Sequence, residues 1–208
     1  MIPLEALIPF FTASILLALA PGPDNIFVLT QSALRGKGAG AVVMLGLCTG
    51  LVGHSCAVAF GVAVIFKSSA LAFSILKFAG AGYLLYLAWQ AFRAGPENIR
   101  DGGVAPPNRA KLYGRGIIMN ITNPKVSLFF LAFLPQFAEP ARGPVALQIL
   151  LLGGLFILAT LIIFGSIVVL AGSIGEWLNR SARVQKGLNW LAGTVFVGLA
   201  LKLATARR

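Results

Sequence analysis

The chain has 208 residues, 58% of them hydrophobic and only 11% charged, with a formal net charge of +11. Soluble domains carry about 25% charged residues, so this composition excludes most soluble enzymes, disordered tails and nucleic-acid binders. The apolar residues suffice for about six membrane spans of ~20 residues each.

Apolar runs bounded by charge, proline or glycine predict six spans at residues 4–34, 38–66, 70–92, 116–137, 145–171 and 187–204. The first run has no basic residue before Arg35, so it reads as a span and not as a cleaved signal peptide. The second contains Cys48, His54 and Cys56, a trio that invites a metal reading. On a regular helix His54 and Cys56 point ~200° apart, so neither a metal nor a cofactor is predicted. Residues 94–114, with Gly95-Pro96, Gly102-Gly103 and Pro106-Pro107, read as a polar connecting loop within one transmembrane domain over residues 1–208. No G-x-x-x-x-G-K-[ST] phosphate loop is present, so the chain itself has no ATP-driven motor.

Ten basic residues fall in one set of alternate loops: Arg35, Lys37, Arg93, Arg100, Arg109, Lys111, Arg115, Arg180, Arg183 and Lys186. The other set holds Lys67, Arg142, Arg207 and Arg208. The larger set belongs in the cytoplasm, which puts both termini on the outer side. The positive charge is therefore a mark of topology. Residues 77–82 (KFAGAG) resemble 189–194 (NWLAGT), and Pro23 corresponds to Pro124. Spans 1–3 thus echo spans 4–6, and an odd number of spans per repeat makes the two halves inverted.

The chemistry concentrates at two breaks. Pro21-Gly22-Pro23-Asp24-Asn25 interrupts the first span, where the prolines free the carbonyls of Leu17 and Leu19. In the fourth span Asn123 can cap a half-helix that starts at Pro124, which frees the carbonyl of Asn120. Asp24 and Lys125 both lie ~15–17 Å from the basic end, about the midplane of a ~30 Å hydrocarbon core. Asp24 suits a half-helix N-terminus, whereas Lys125 sits where the helix dipole disfavours a cation. Such a lysine needs a partner, either Asp24 in a structural pair or an anionic ligand. Lys77 and Tyr83 complete the candidate set, although Lys77 could snorkel outward and Tyr83 and Tyr86 could be packing aromatics.

These motifs resemble the LysE/RhtB amino-acid exporter family. The resemblance rests on Ala20-Pro21-Gly22-Pro23, Arg35-Gly36 with Gly40 and Gly46, residues 77–87 (KFAGAGYLLYL) and Asn123-Pro124-Lys125, and it covers essentially the whole chain. It implies a bacterial inner-membrane exporter whose substrates across the family include lysine, arginine, homoserine, threonine, leucine and cysteine derivatives. It emphasises Pro21, Gly22, Pro23, Lys77, Asn123, Pro124 and Lys125.

The sequence thus predicts an all-α membrane protein of six transmembrane helices in two inverted three-helix repeats, with helices 1 and 4 broken. It predicts proton antiport, with Asp24 carrying the proton. The substrate would meet Asp24, Asn25, Asn120, Asn123 and Lys125, its carboxylate on Lys125 and its ammonium on Asp24 and the carbonyls of Leu19 and Asn120. The partners are the amino acid, protons and the bilayer, with a homo-oligomer left open. The alternative is a cadmium-type metal efflux protein, which the fixed charge of Lys125 disfavours. A non-transporting scaffold would leave two midplane charges without a use.

Overall fold

The computed structural model describes residues 2–68, 70–93, 108–180 and 182–205. Helices α1 (Leu4–Leu19) and α2 (Pro23–Arg35) form a pair bent by 58°. They are followed by α3 (Lys37–Ser68) and α4 (Ala70–Arg93). A second pair, bent by 50°, joins α5 (Arg109–Thr122) to α6 (Pro124–Leu128) and the turns that continue it to Phe137. The last two helices are α7 (Val145–Arg180) and α8 (Ala182–Thr205), and the described residues contain no strand.

Helices α3, α7 and α8 each contain a stretch long and apolar enough to cross a membrane, and each bent pair makes a further candidate span. The described residues thus hold three candidate spans, or up to five with the bent pairs, and the 24-residue α4 is not among them. The expected loop at 94–114 is corrected at its end. Helix α5 starts at Arg109, because the Asn108 side chain accepts a hydrogen bond from the Lys111 amide at 3.2 Å and nucleates the first turn. Residues 94–107 lie outside the described residues. Helix α7 runs past the predicted end at 171, and α8 starts before the predicted 187.

Each break follows from its prolines. Helix α1 stops at Leu19 because Pro21 has no N–H for Leu17, and Gly22 then runs extended into Pro23 at the start of α2. Gly36 ends α2 at φ +83°, a left-handed conformation that favours glycine. Beyond α6 the chain widens into a π turn over Phe129–Phe133 and then tightens into a 3₁₀ turn over Leu134–Phe137. Pro135 explains this irregularity, since it removes a donor and clashes with the carbonyl four residues earlier.

Two apolar clusters fill the interior. The larger is aromatic at its centre, where Phe129 stacks on Phe133 at 4.9 Å and on Phe156 at 5.1 Å, and Phe10 meets Phe137 at 5.2 Å. The smaller gathers Val28, Val43, Leu47, Leu112, Phe164 and Val168 toward the C-terminal end of α2. Helices α3 and α5 cross closely at Gly46 and Gly116, where a Cβ on Gly46 would strike the Tyr113 carbonyl oxygen. Leu17, Leu51, Val126 and Phe156 of the larger cluster and Phe164 of the smaller share a small cavity.

Candidate functional site

The cavity lies where the two bent pairs meet, and Asp24, Asn120, Lys125 and Thr160 supply its polar lining. Asp24 occupies the first turn of α2, where the unpaired amides of a helix N-terminus favour an anion. It is 3% exposed, and its Oδ2 accepts a hydrogen bond from Asn120 Nδ2 at 3.2 Å. Its other oxygen, Oδ1, is buried without a hydrogen-bond partner.

Lys125 sits at the start of α6, and Asn123 caps that helix by accepting the Lys125 amide at 3.0 Å. Its ammonium escapes the unfavourable end of its own helix by crossing to the C-terminal end of α1. There Nζ donates to the Ala20 carbonyl at 2.9 Å and to the Leu17 carbonyl at 3.4 Å. A cation is favoured at that end, and Leu17 is the carbonyl that Pro21 leaves free. Lys125 and Asp24 make no ion-pair contact, although both line one cavity. The two buried charges are held by backbone and amides, and each faces the space between them.

Other carbonyls at the breaks are also taken. Asn25 Nδ2 donates to the Ala18 carbonyl at 2.6 Å. The Asn120 carbonyl, released by Pro124, accepts the Asn123 amide at 3.1 Å and lies 3.3 Å from His54 Nε2. Leu19 is half exposed and makes no such contact, while Leu17, Ala18 and Ala20 carry the accepting carbonyls. Asn25 Oδ1, Asn120 Oδ1 and Asn123 Nδ2 are further buried atoms without partners.

Asp24, Asn25, Asn120, Asn123 and Lys125 therefore come together around the breaks. Lys77 and Tyr83 do not join them. Both lie on α4, which contributes no residue to the cavity lining, with the Lys77 ammonium over the Phe78 ring at 4.7 Å and Tyr83 against Tyr86 at 5.7 Å. Among the described residues no three or more His, Cys, Asp or Glu side chains gather into a metal-binding group. His54 serves the break through its contact with Asn120, and its ring packs on Phe130 at 5.5 Å. Thr160 was not foreseen, since a lone threonine in an apolar run has no signature of its own. The cavity holds about 20 Å³, room for a water and far less than an amino acid requires.

A fold of long apolar helices with two proline breaks meeting at a charged cavity defines a membrane transporter. The family model described as LysE type translocator matches residues 15–207, and the chain belongs to that family as a multi-pass membrane protein. It is 35% identical to a homoserine/homoserine lactone efflux protein of Salmonella typhi over 95% of both chains, and equally so to the protein of that name from Salmonella typhimurium. An uncharacterized membrane protein of Vibrio cholerae is 29% identical over 95% of this chain and 96% of its own. No solved structure matches the chain.

Proposed function

We propose that the chain is a secondary exporter of amino acids or close derivatives across the bacterial inner membrane, running as a proton antiporter. The observation that carries this reading is the separation of Asp24 and Lys125. A carboxylate with one free oxygen and an ammonium held on backbone carbonyls face one cavity without neutralising each other. A zwitterion matches their polarity in one sense only. Its carboxylate meets Lys125, and its ammonium meets Asp24 Oδ1 with Asn25 and Asn120 alongside. Efflux of homoserine or its lactone, the role named for the Salmonella relatives, favours a small polar substrate of this kind.

In this account the structure is the closed state, with an apolar cluster on either side of a site too small for its cargo. Opening toward the cytoplasm parts the smaller cluster, and the entering ammonium takes its place beside Asp24. Lys125 then turns from Ala20 toward the substrate carboxylate. Opening outward parts the aromatic cluster, and a proton arriving on Asp24 releases the ammonium. The substrate and the proton compete for one carboxylate, which supplies the differential contacts that antiport requires. The inverted repeat finds support in the packing, where α3 lies on α5 as α7 lies on α1 and α2, while α3 pairs with α7 and α4 with α8. Basic residues crowd the α2–α3 and α4–α5 connections, so those face the cytoplasm and both termini face out.

The test is export from cells loaded with a panel of amino acids through dipeptide feeding. Cells that express the chain should release one or a few of them faster than cells that do not. Equal release of every amino acid, with a gain in cadmium tolerance instead, overturns the reading.

A further inference from the structure

Thr160 lies on α7, across the cavity from the two breaks. It is 3% exposed, and its neighbours in the lining include Leu51, Val126, Phe156 and Phe164, all apolar. A hydroxyl in a buried helix usually bonds to the carbonyl four residues back. Ser14, Ser32, Thr49, Ser55, Thr122, Ser166 and Thr194 all do so here. Thr160 makes no such bond, and its hydroxyl is not one of the sealed, unpaired polar atoms of the site but lines the cavity. A hydroxyl that opens onto a cavity and is not tied to its own helix is available to whatever binds there.

We propose that Thr160 selects the substrate by its side chain, taking the hydroxyl of a short hydroxylated amino acid. This rests on the reading of the site as that of an amino-acid exporter. The two charges in the cavity are matched one to one by the α-ammonium and the α-carboxylate, which leaves none for a charged side chain. The side chain therefore lies against the wall made by Leu51, Phe156, Thr160 and Phe164, of which Thr160 alone carries a hydrogen-bonding side chain. An aliphatic side chain of equal size would fill the same space and leave the hydroxyl buried and unpaired. Sites built to bind a hydroxyl reject such analogues far more strongly than apolar pockets reject a methylene.

Homoserine and norvaline form the matched pair, since they differ by a hydroxyl for a methyl. Initial rates in proteoliposomes give kcat/KM for each with the wild type, Thr160→Val and Thr160→Ser. The wild type should prefer homoserine by about tenfold or more, Thr160→Ser should keep that preference, and Thr160→Val should lose it while still carrying norvaline. A wild type that carries both equally, or a preference unchanged in Thr160→Val, overturns the role of Thr160 and leaves the exporter standing. A wild type that carries no amino acid overturns the exporter reading, and this inference with it.

Discussion

Lys125 Nζ lies 2.9 Å from the Ala20 carbonyl oxygen and 2.9 Å from the position a Cβ would take on Gly22. Gly22 is extended, at φ −174° and ψ 174°, so its backbone would accept any residue. The ammonium is the reason for glycine there. Gly22→Ala should leave the protein folded, because the end of a lysine side chain can move, yet displace the ammonium from α1. The expected outcome is at least a tenfold loss of transport with a thermal midpoint in detergent within a few degrees of wild type. Wild-type flux in this variant would mean that the Lys125 contact with α1 is not used.

The same ammonium sets a second prediction. A lysine at midplane costs about 2.5–3.5 kcal/mol on insertion scales, so Lys125→Met should fold at least as well as wild type. It should nevertheless lose substrate binding, because the substrate carboxylate has no cation to meet. Binding measured by substrate-induced thermal shift should fall below detection in Lys125→Met while the unliganded midpoint holds or rises.

His54 should act through position and not through charge. Its Nε2 lies 3.3 Å from the Asn120 carbonyl, and Asn120 in turn holds Asp24. His54→Phe removes one hydrogen bond, worth about 0.5–1.5 kcal/mol, and should lower the transport rate several-fold. Cadmium sensitivity should not change with it. A dependence of cadmium tolerance on His54 would revive the metal reading.

Gly46 tests the frame that holds the site. A methyl there would meet the Tyr113 carbonyl oxygen and come within 3.2 Å of Gly116 Cα, atoms of backbone that cannot turn aside. Gly46→Ala should destabilise the fold by about 1–3 kcal/mol or more through overpacking, lowering yield and thermal midpoint together. Gly53, which has open space around it, is the control, and Gly53→Ala should be silent in both measurements.

The breaks were legible in the sequence because proline acts locally. Pro21 and Pro124 fix which N–H groups are missing, and the carbonyls of Leu17 and Asn120 follow by counting four residues back. The cap at Asn123 and the placement of Asp24 at a helix start follow in the same way. What Lys125 touches was not legible, since its partners on α1 are more than 100 residues away in the chain. Lys77 and Tyr83 looked like site residues because they are polar groups within an apolar run, but the face of a helix that meets a cavity depends on tertiary packing. Thr160 shows the reverse, an ordinary residue that packing alone makes distinctive.

Proton coupling through Asp24 is the central claim, and flux in proteoliposomes loaded with labelled homoserine tests it most directly. An imposed proton gradient directed inward should accelerate wild-type efflux well above the rate without a gradient. Asp24→Asn should keep the fold, since an amide can still bond to Asn120, and should show no acceleration. Equal acceleration in wild type and Asp24→Asn, or none in either, would contradict the account.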